Sequence, residues 1–224
     1  ELSFTVRLLE AMMVGLPERN GSLTPTALQP ALEAIGRADA VVLGPGIGKE
    51  KGAQELAREL VERIDVPLVV DADGLNALAG GAMEELVRVR PWPTVMTPHA
   101  GELGRMLGVD SKEIARHRLQ YAREAAAKAK AIIVLKGDDT LVATPNGRVA
   151  VSRGFAPALA TAGTGDVLSG VIGAMLAKGL APAHATAAGV YAHLRAGQIA
   201  AAPDGPDGVI ASDIIRALPA ALGS

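Results

Sequence analysis

Residues 160–170, ATAGTGDVLSG, put a carboxylate where a helix gathers anions. Gly163 and Gly165 can admit a ligand close to the main chain. The helix expected over about 165–178 then offers unpaired N–H groups and the positive end of its dipole. Held there as a carboxylate, Asp166 could take the proton of a substrate hydroxyl as that oxygen attacks phosphorus. The tetrapeptide GTGD (163–166) equally suits a helix start in which Asp166 is a cap or first-turn residue without chemistry.

Other polar clusters raise similar choices. TPHAGE (97–102) sets His99 and Glu102 three residues apart on one face of a helix start. Glu102 there could hold a water of a Mg²⁺ ion, which keeps several waters and takes few protein oxygens; otherwise it only complements the helix dipole and His99 is a polar loop residue. KGDDT (136–140) is either a strand end turning at the surface or a wrap for nucleotide phosphate and ribose through Lys136, Gly137 and Thr140. GPGIG (44–48) admits a nucleotide or merely turns the chain, and it is not the G-x-G-x-x-G dinucleotide fingerprint. In DADGLN (71–76), Asp73 or Asn76 is expected to cap the next helix and Asp71 is free to face a pocket. His117, His184 and His193 fall in helical patterns and are expected at the solvent or the core edge.

The elements that must position these groups follow a repeating rhythm. AVVLGPGIG (40–48) reads as a buried strand and glycine loop, followed by a helix over 50–63. Further strands open VPLVVDADGLNAL (66–78), PTVMTPHAGELGRML (93–107) and AIIVLKGDDT (131–140), the last after an Ala-rich helix at 112–129. Near-continuous apolar strands separated by helices predict a mostly parallel sheet covered on both faces. Residues 140–153 read as a hairpin turning at PNG (145–147), and helices follow at about 165–178, 182–202 and 212–218. Every cluster above lies at the carboxyl end of a strand or at a helix start, where ligands of open parallel sheets bind.

Composition narrows the function classes. The 224-residue chain is 49% hydrophobic and carries a formal net charge of -2 with no basic block, which argues against nucleic acid and anionic membranes as partners. It has no cysteine, so disulfides and thiolate metal sites are excluded and a reducing cytoplasm is the expected compartment. No apolar run reaches the roughly 18 residues that span a bilayer. One Trp, two Tyr and two Phe leave the core to Ala, Val, Leu and Ile.

In the order VVLGPGIG, VVDADGLNAL, TPHAGELGRMLG, VLKGDDT and ATAGTGDVLSGVIGAMLAKG, from about residue 8 to the C-terminus, the chain resembles the ADP/ATP-dependent NAD(P)H-hydrate dehydratases. The resemblance implies an α/β, ribokinase-like fold and an enzyme, a carbon–oxygen lyase. It would use ADP or ATP with Mg²⁺ to phosphorylate the hydroxyl of hydrated NADH or NADPH and then eliminate phosphate. It implies Asp166 as base and substrate contact, with His99 and Gly48 also on the hydrated dinucleotide. Lys136, Gly137, Asp138, Asp139, Thr140, Gly163 and Gly165 would line the nucleotide site, and Glu102 would organise Mg²⁺ through water. ADP is the expected donor and a homo-oligomer the expected assembly. The paired acids of KGDDT depart from the small residues usual there, and His99 replaces an Asn of the wider superfamily. Family members also carry an upstream strand–helix–strand, so the expectation is one ribokinase-like domain over 1–224 lacking that segment. Two rivals remain: a vitamin-precursor alcohol kinase of the same superfamily, and a catalytically silent nucleotide-binding protein.

Overall fold

The computed structural model describes residues 10–223, so the opening of the resembling stretch at residues 8 and 9 lies outside the described residues. A short antiparallel hairpin, β1 (Glu18–Arg19) and β2 (Ser22–Leu23), leads into α1 (Leu28–Ile35). The core then alternates: β3 (Val41–Leu43), α2 (Lys51–Arg63), β4 (Leu68–Val70), α3 (Ala72–Ala77), β5 (Thr94–Met96) and α4 (Ala100–Leu107). After α5 (Ser111–Arg116) and α6 (Arg118–Ala129) come β6 (Ile132–Leu135), β7 (Thr140–Ala143) and β8 (Val149–Ser152). The chain closes with α7 (Thr164–Ala177), α8 (Pro182–Ala201) and α9 (Ala211–Leu222).

The six strands lie in the order β3-β4-β5-β6-β7-β8. The first four pair in parallel and β7 and β8 add antiparallel, the mixed, mostly parallel sheet with a hairpin after residue 140 that the sequence pattern predicts. Strand alternation splits the core into two layers. Leu68, Val70, Met96, Ile133 and Leu135 face one hydrophobic cluster with α2 and α6. Val69, Val95, Ile132 and Val134 face the other with α7 and α8. In α2 the buried Ala53, Leu56, Ala57, Leu60 and Val61 recur at helical spacing, which puts one stripe on the sheet. Small residues let α7 and α8 approach: a Cβ on Gly189 would stand 2.8 Å from Ile172 Cγ1.

Some expectations on element boundaries change. The helix expected over 112–129 is two helices, because the backbone leaves helical geometry at His117 (φ -126°, ψ 43°), whose N–H is shared between Glu113 and Ile114 carbonyls. The last helix runs past the expected 212–218 to Leu222 through Pro219, since Ala217 and Ala221 are buried with Ile214 against α8. The first hairpin and α1 lie where no element was expected.

Candidate functional site

Strand ends build the site. At the end of β3, Gly44 has φ +128°, and a Cβ there would lie 1.9 Å from the Asp71 carbonyl oxygen. The glycine loop therefore rests directly on the segment after β4. Gln54 of α2 ties the two together: its Nε2 donates to Gly48 O at 2.6 Å and to Asp73 O at 3.3 Å.

Asp71, 1% exposed, is the helix cap here rather than Asp73 or Asn76, with Oδ1 accepting from Ala72 N at 2.8 Å. The same carboxylate anchors a polar network. Lys136 Nζ lies 2.8 Å from Asp71 Oδ1, and Ser169 Oγ donates to Oδ2 at 2.6 Å. Thr97 Oγ1 stands 3.3 Å from Ser169 Oγ, which brings β4, β5, β6 and α7 to one point. Every polar atom of the network is satisfied, as burial requires.

After β5, His99 caps α4 in a reciprocal arrangement. Its Nδ1 accepts from Gly101 N at 2.9 Å and Glu102 N at 3.3 Å, while Glu102 Oε2 accepts from His99 N at 2.8 Å. This box is the physical role of the three-residue spacing. Glu102 is 7% exposed and stands 3.8 Å from Lys136 Nζ. His99 itself is exposed, and its Nε2 stands 3.5 Å from Glu102 Oε1.

Lys136 follows β6 and starts the turn Lys136–Thr140. Gly137, Asp138 and Asp139 are exposed, so the two acids of the turn face solvent. Arg118, the first residue of α6, holds the turn from beneath: its Nη2 donates to Leu135 O at 3.1 Å and Asp139 O at 2.7 Å. A Cβ on Gly137 would stand 2.5 Å from that guanidinium, the movable end of a long side chain, so a larger residue there would displace Arg118.

Asp166 is the third residue of α7, whose N-cap is Gly163 at φ +86° without a side-chain cap. Thr164 pins this start, its Oγ1 donating to Leu159 O at 2.6 Å or Thr161 O at 2.8 Å. Asp166 is exposed and, among the described residues, takes part in no hydrogen bond or ion pair. Its carboxylate therefore caps nothing. It lines an apolar groove of about 630 Å³ between α7 and α9 together with Val167, Val171, Met175, Ile215 and Leu218. On the inner side of the same turn, a Cβ on Gly165 would be 3.5 Å from Lys136 Nζ.

Lys136, Glu102, Gly165 and, through His99, the start of α4 thus meet at one end of the sheet. Gly48 makes its hydrogen bond within its own loop region, to Gln54. Sequence reasoning missed Arg118, Ser169, Thr97 and Gln54; Ser169 carried one signal, its place one helical turn after Gly165 facing the sheet. His193 overturns the expectation of a surface or edge residue. It is 7% exposed on α8, and burial pushes its pKa down to about 4, with Lys136 adding to the fall and the Thr164 backbone opposing it. Its Nε2 has no partner among the described residues.

Among the described residues no group of three or more His, Cys, Asp and Glu side chains could hold a metal. Such a donor set suits only an ion carried chiefly by substrate phosphates and water.

Comparison with known proteins gives a consistent relationship. The sequence profile of a family described as NAD(P)H-hydrate dehydratase matches residues 5–220. The bifunctional NAD(P)H-hydrate repair enzyme Nnr of Moorella thermoacetica is 39% identical over 218 residues, covering 97% of this chain and 41% of the relative. The chain therefore spans about two-fifths of the length of that curated relative. The ADP/ATP-dependent NAD(P)H-hydrate dehydratase of Bacillus subtilis, co-crystallised with ATP/Mg²⁺, superposes with a TM-score of 0.74 at 34% identity, covering 83% of this chain and 64% of that one. A ribokinase-like superfamily protein of Enterococcus faecalis superposes with a TM-score of 0.78 at 26% identity, covering 99% of this chain and 72% of that one.

Proposed function

The chain belongs to the NAD(P)H-hydrate dehydratase family, and from that premise we propose that it phosphorylates the hydroxyl of hydrated NADH or NADPH with ADP or ATP and eliminates phosphate to regenerate NAD(P)H. The observation that carries this reading is Asp166, an exposed carboxylate on the first turn of α7 that takes part in no hydrogen bond or ion pair among the described residues and follows Gly165, where a Cβ would stand 3.5 Å from Lys136 Nζ.

That geometry supports the following course of reaction. Asp166 accepts the hydroxyl proton as the substrate oxygen attacks the terminal phosphorus of the nucleotide. The bond from phosphorus to the nucleotide oxygen breaks, releasing AMP from ADP or ADP from ATP. N–H groups of the first turn of α7 and the Lys136 ammonium stabilise charge on the transferring group. Phosphorylation turns a poor leaving group into a good one. The ring nitrogen lone pair then expels phosphate, and loss of a proton from the adjacent ring carbon restores the double bond. Magnesium, when bound, supplies neutralisation of the phosphate charges.

In this reading His99 and Gly48 contact the hydrate, and Gly137, Asp138, Asp139, Thr140, Gly163 and Gly165 line the nucleotide site. The exposed turn held by Arg118 supports the second assignment. ADP as preferred donor, a homo-oligomer and a cytoplasmic location belong to the same proposal. The test is recovery of reduced-nicotinamide absorbance from hydrated NADH with Mg²⁺ and either ADP or ATP. No recovery with both nucleotides, from protein shown to be folded, refutes the reading.

A further inference from the structure

Lys136 does not extend along the exposed turn that it begins. Its ammonium folds inward, 2.8 Å from Asp71 Oδ1 and 3.8 Å from Glu102 Oε2. That position lies against the first turn of α7, where a Cβ on Gly165 would be 3.5 Å away. A cation is unfavourable at the positive end of a helix unless a carboxylate compensates it. Asp71 supplies the compensation from a site 1% exposed.

Asp71 is itself fixed from three sides. Ala72 N–H and Lys136 reach Oδ1, and the fully buried Ser169 reaches Oδ2 at 2.6 Å. Ser169 Oγ is also 3.2 Å from Gly165 O, but a hydroxyl has one proton, and the shorter contact takes it. Thr97 Oγ1 then donates to Ser169 Oγ or to Val70 O at 3.4 Å. Three elements thus agree on one carboxylate orientation, and that orientation fixes the ammonium.

We propose that Asp71 is a positioning residue, oriented by Ser169, that holds the Lys136 ammonium at the first turn of α7 for the transferring phosphoryl group and away from the nucleotide-lining turn. This rests on the proposed phosphoryl transfer. The tether makes Lys136 a group felt in the transition state, so its loss acts on kcat and spares nucleotide binding.

The experiment compares Asp71→Asn, Lys136→Met and the double variant in the hydrate-repair assay, with acetic anhydride labelling of each lysine read by mass spectrometry. Asparagine keeps an oxygen for Ala72 N–H and an amide that Ser169 Oγ can accept, so it removes chiefly the charge. We expect kcat to fall at least about tenfold in Asp71→Asn, with nucleotide KM within about threefold. The double variant should match Lys136→Met within about twofold, because the two residues act as one unit. Labelling of Lys136 relative to Lys178 should rise once the tether is cut. Multiplying losses in the double variant, or unchanged Lys136 labelling in Asp71→Asn, overturns the proposal. If Asp71→Asn does not fold, Ser169→Ala carries the test: lower kcat with raised Lys136 labelling supports the tether, and neither change overturns it. Failure of the unaltered protein to repair the hydrate refutes the proposed function, and the labelling still judges the tether.

Discussion

Asp166→Asn separates a catalytic carboxylate from a structural one. The substitution keeps the shape of the side chain and removes its charge and its capacity to accept a proton. Among the described residues Asp166 takes part in no hydrogen bond or ion pair, so no cap is lost. What remains is the charge–dipole term at the third position of α7, about 0.3–1 kcal/mol. For a domain of this size that corresponds to a fall in Tm of about 1–4 °C. A general base contributes at least about a hundredfold, or about 2.7 kcal/mol of activation free energy. The kinetic penalty thus exceeds the stability penalty several-fold. The assay is recovery of reduced-nicotinamide absorbance, run beside thermal melts and nucleotide titration. Turnover within about fivefold of the unaltered protein refutes the role of Asp166 as base. A Tm loss above about 10 °C with parallel loss of nucleotide binding refutes the claim that its carboxylate supports no structure.

Arg118→Met should raise the nucleotide KM about tenfold with kcat little changed, because the guanidinium bonds to Leu135 O and Asp139 O hold the turn rather than the reacting atoms; an equal fall in kcat would contradict this. Gly44→Ala should cost about 2–6 kcal/mol, combining strain at φ +128° with a Cβ placed 1.9 Å from the Asp71 carbonyl, as a denaturant titration would read. His193, with its folded pKa lowered to about 4, is neutral in the fold and protonates first in the unfolded chain. Stability is fully present above about pH 6.5 and falls by about 3 kcal/mol as the pH drops toward 4. His193→Asn should flatten that part of the pH dependence, and an unchanged slope would show that burial of His193 is not its source.

The alternation of apolar strands and amphipathic helices was legible because each element carries its own period. Val69 and Val70 announce a strand buried on both faces in any context. Boundaries were less legible where local signals compete. The Ala-rich run at 112–129 is helical throughout by propensity, and only the backbone turn at His117 and the anchoring of Arg118 under the Lys136–Thr140 turn divide it. In the site, the placement of Asp166 and of the His99–Glu102 pair at helix starts was legible, because a glycine or proline break before an apolar helical pattern marks where a helix begins; that His99 caps its helix was not. Arg118 and Ser169 were not: each looks like an ordinary helical residue until a distant strand end is brought against it. His193 was read as an edge residue for the same reason, since one helix pattern does not reveal what packs on it.

By itself the amino-acid sequence determined the architecture and the residue types at each strand end, since periodicity, glycine placement and helix-start chemistry are local and survive without tertiary contacts. Only the tertiary structure decided which of those groups act together. Asp71 and Ser169 are 98 positions apart, and Asp71 and Lys136 are 65 apart. No local pattern couples such pairs; they meet because parallel strands deliver their carboxyl ends to one edge. There burial makes each unpaired charge costly, and one carboxylate comes to hold one ammonium beside the first turn of α7.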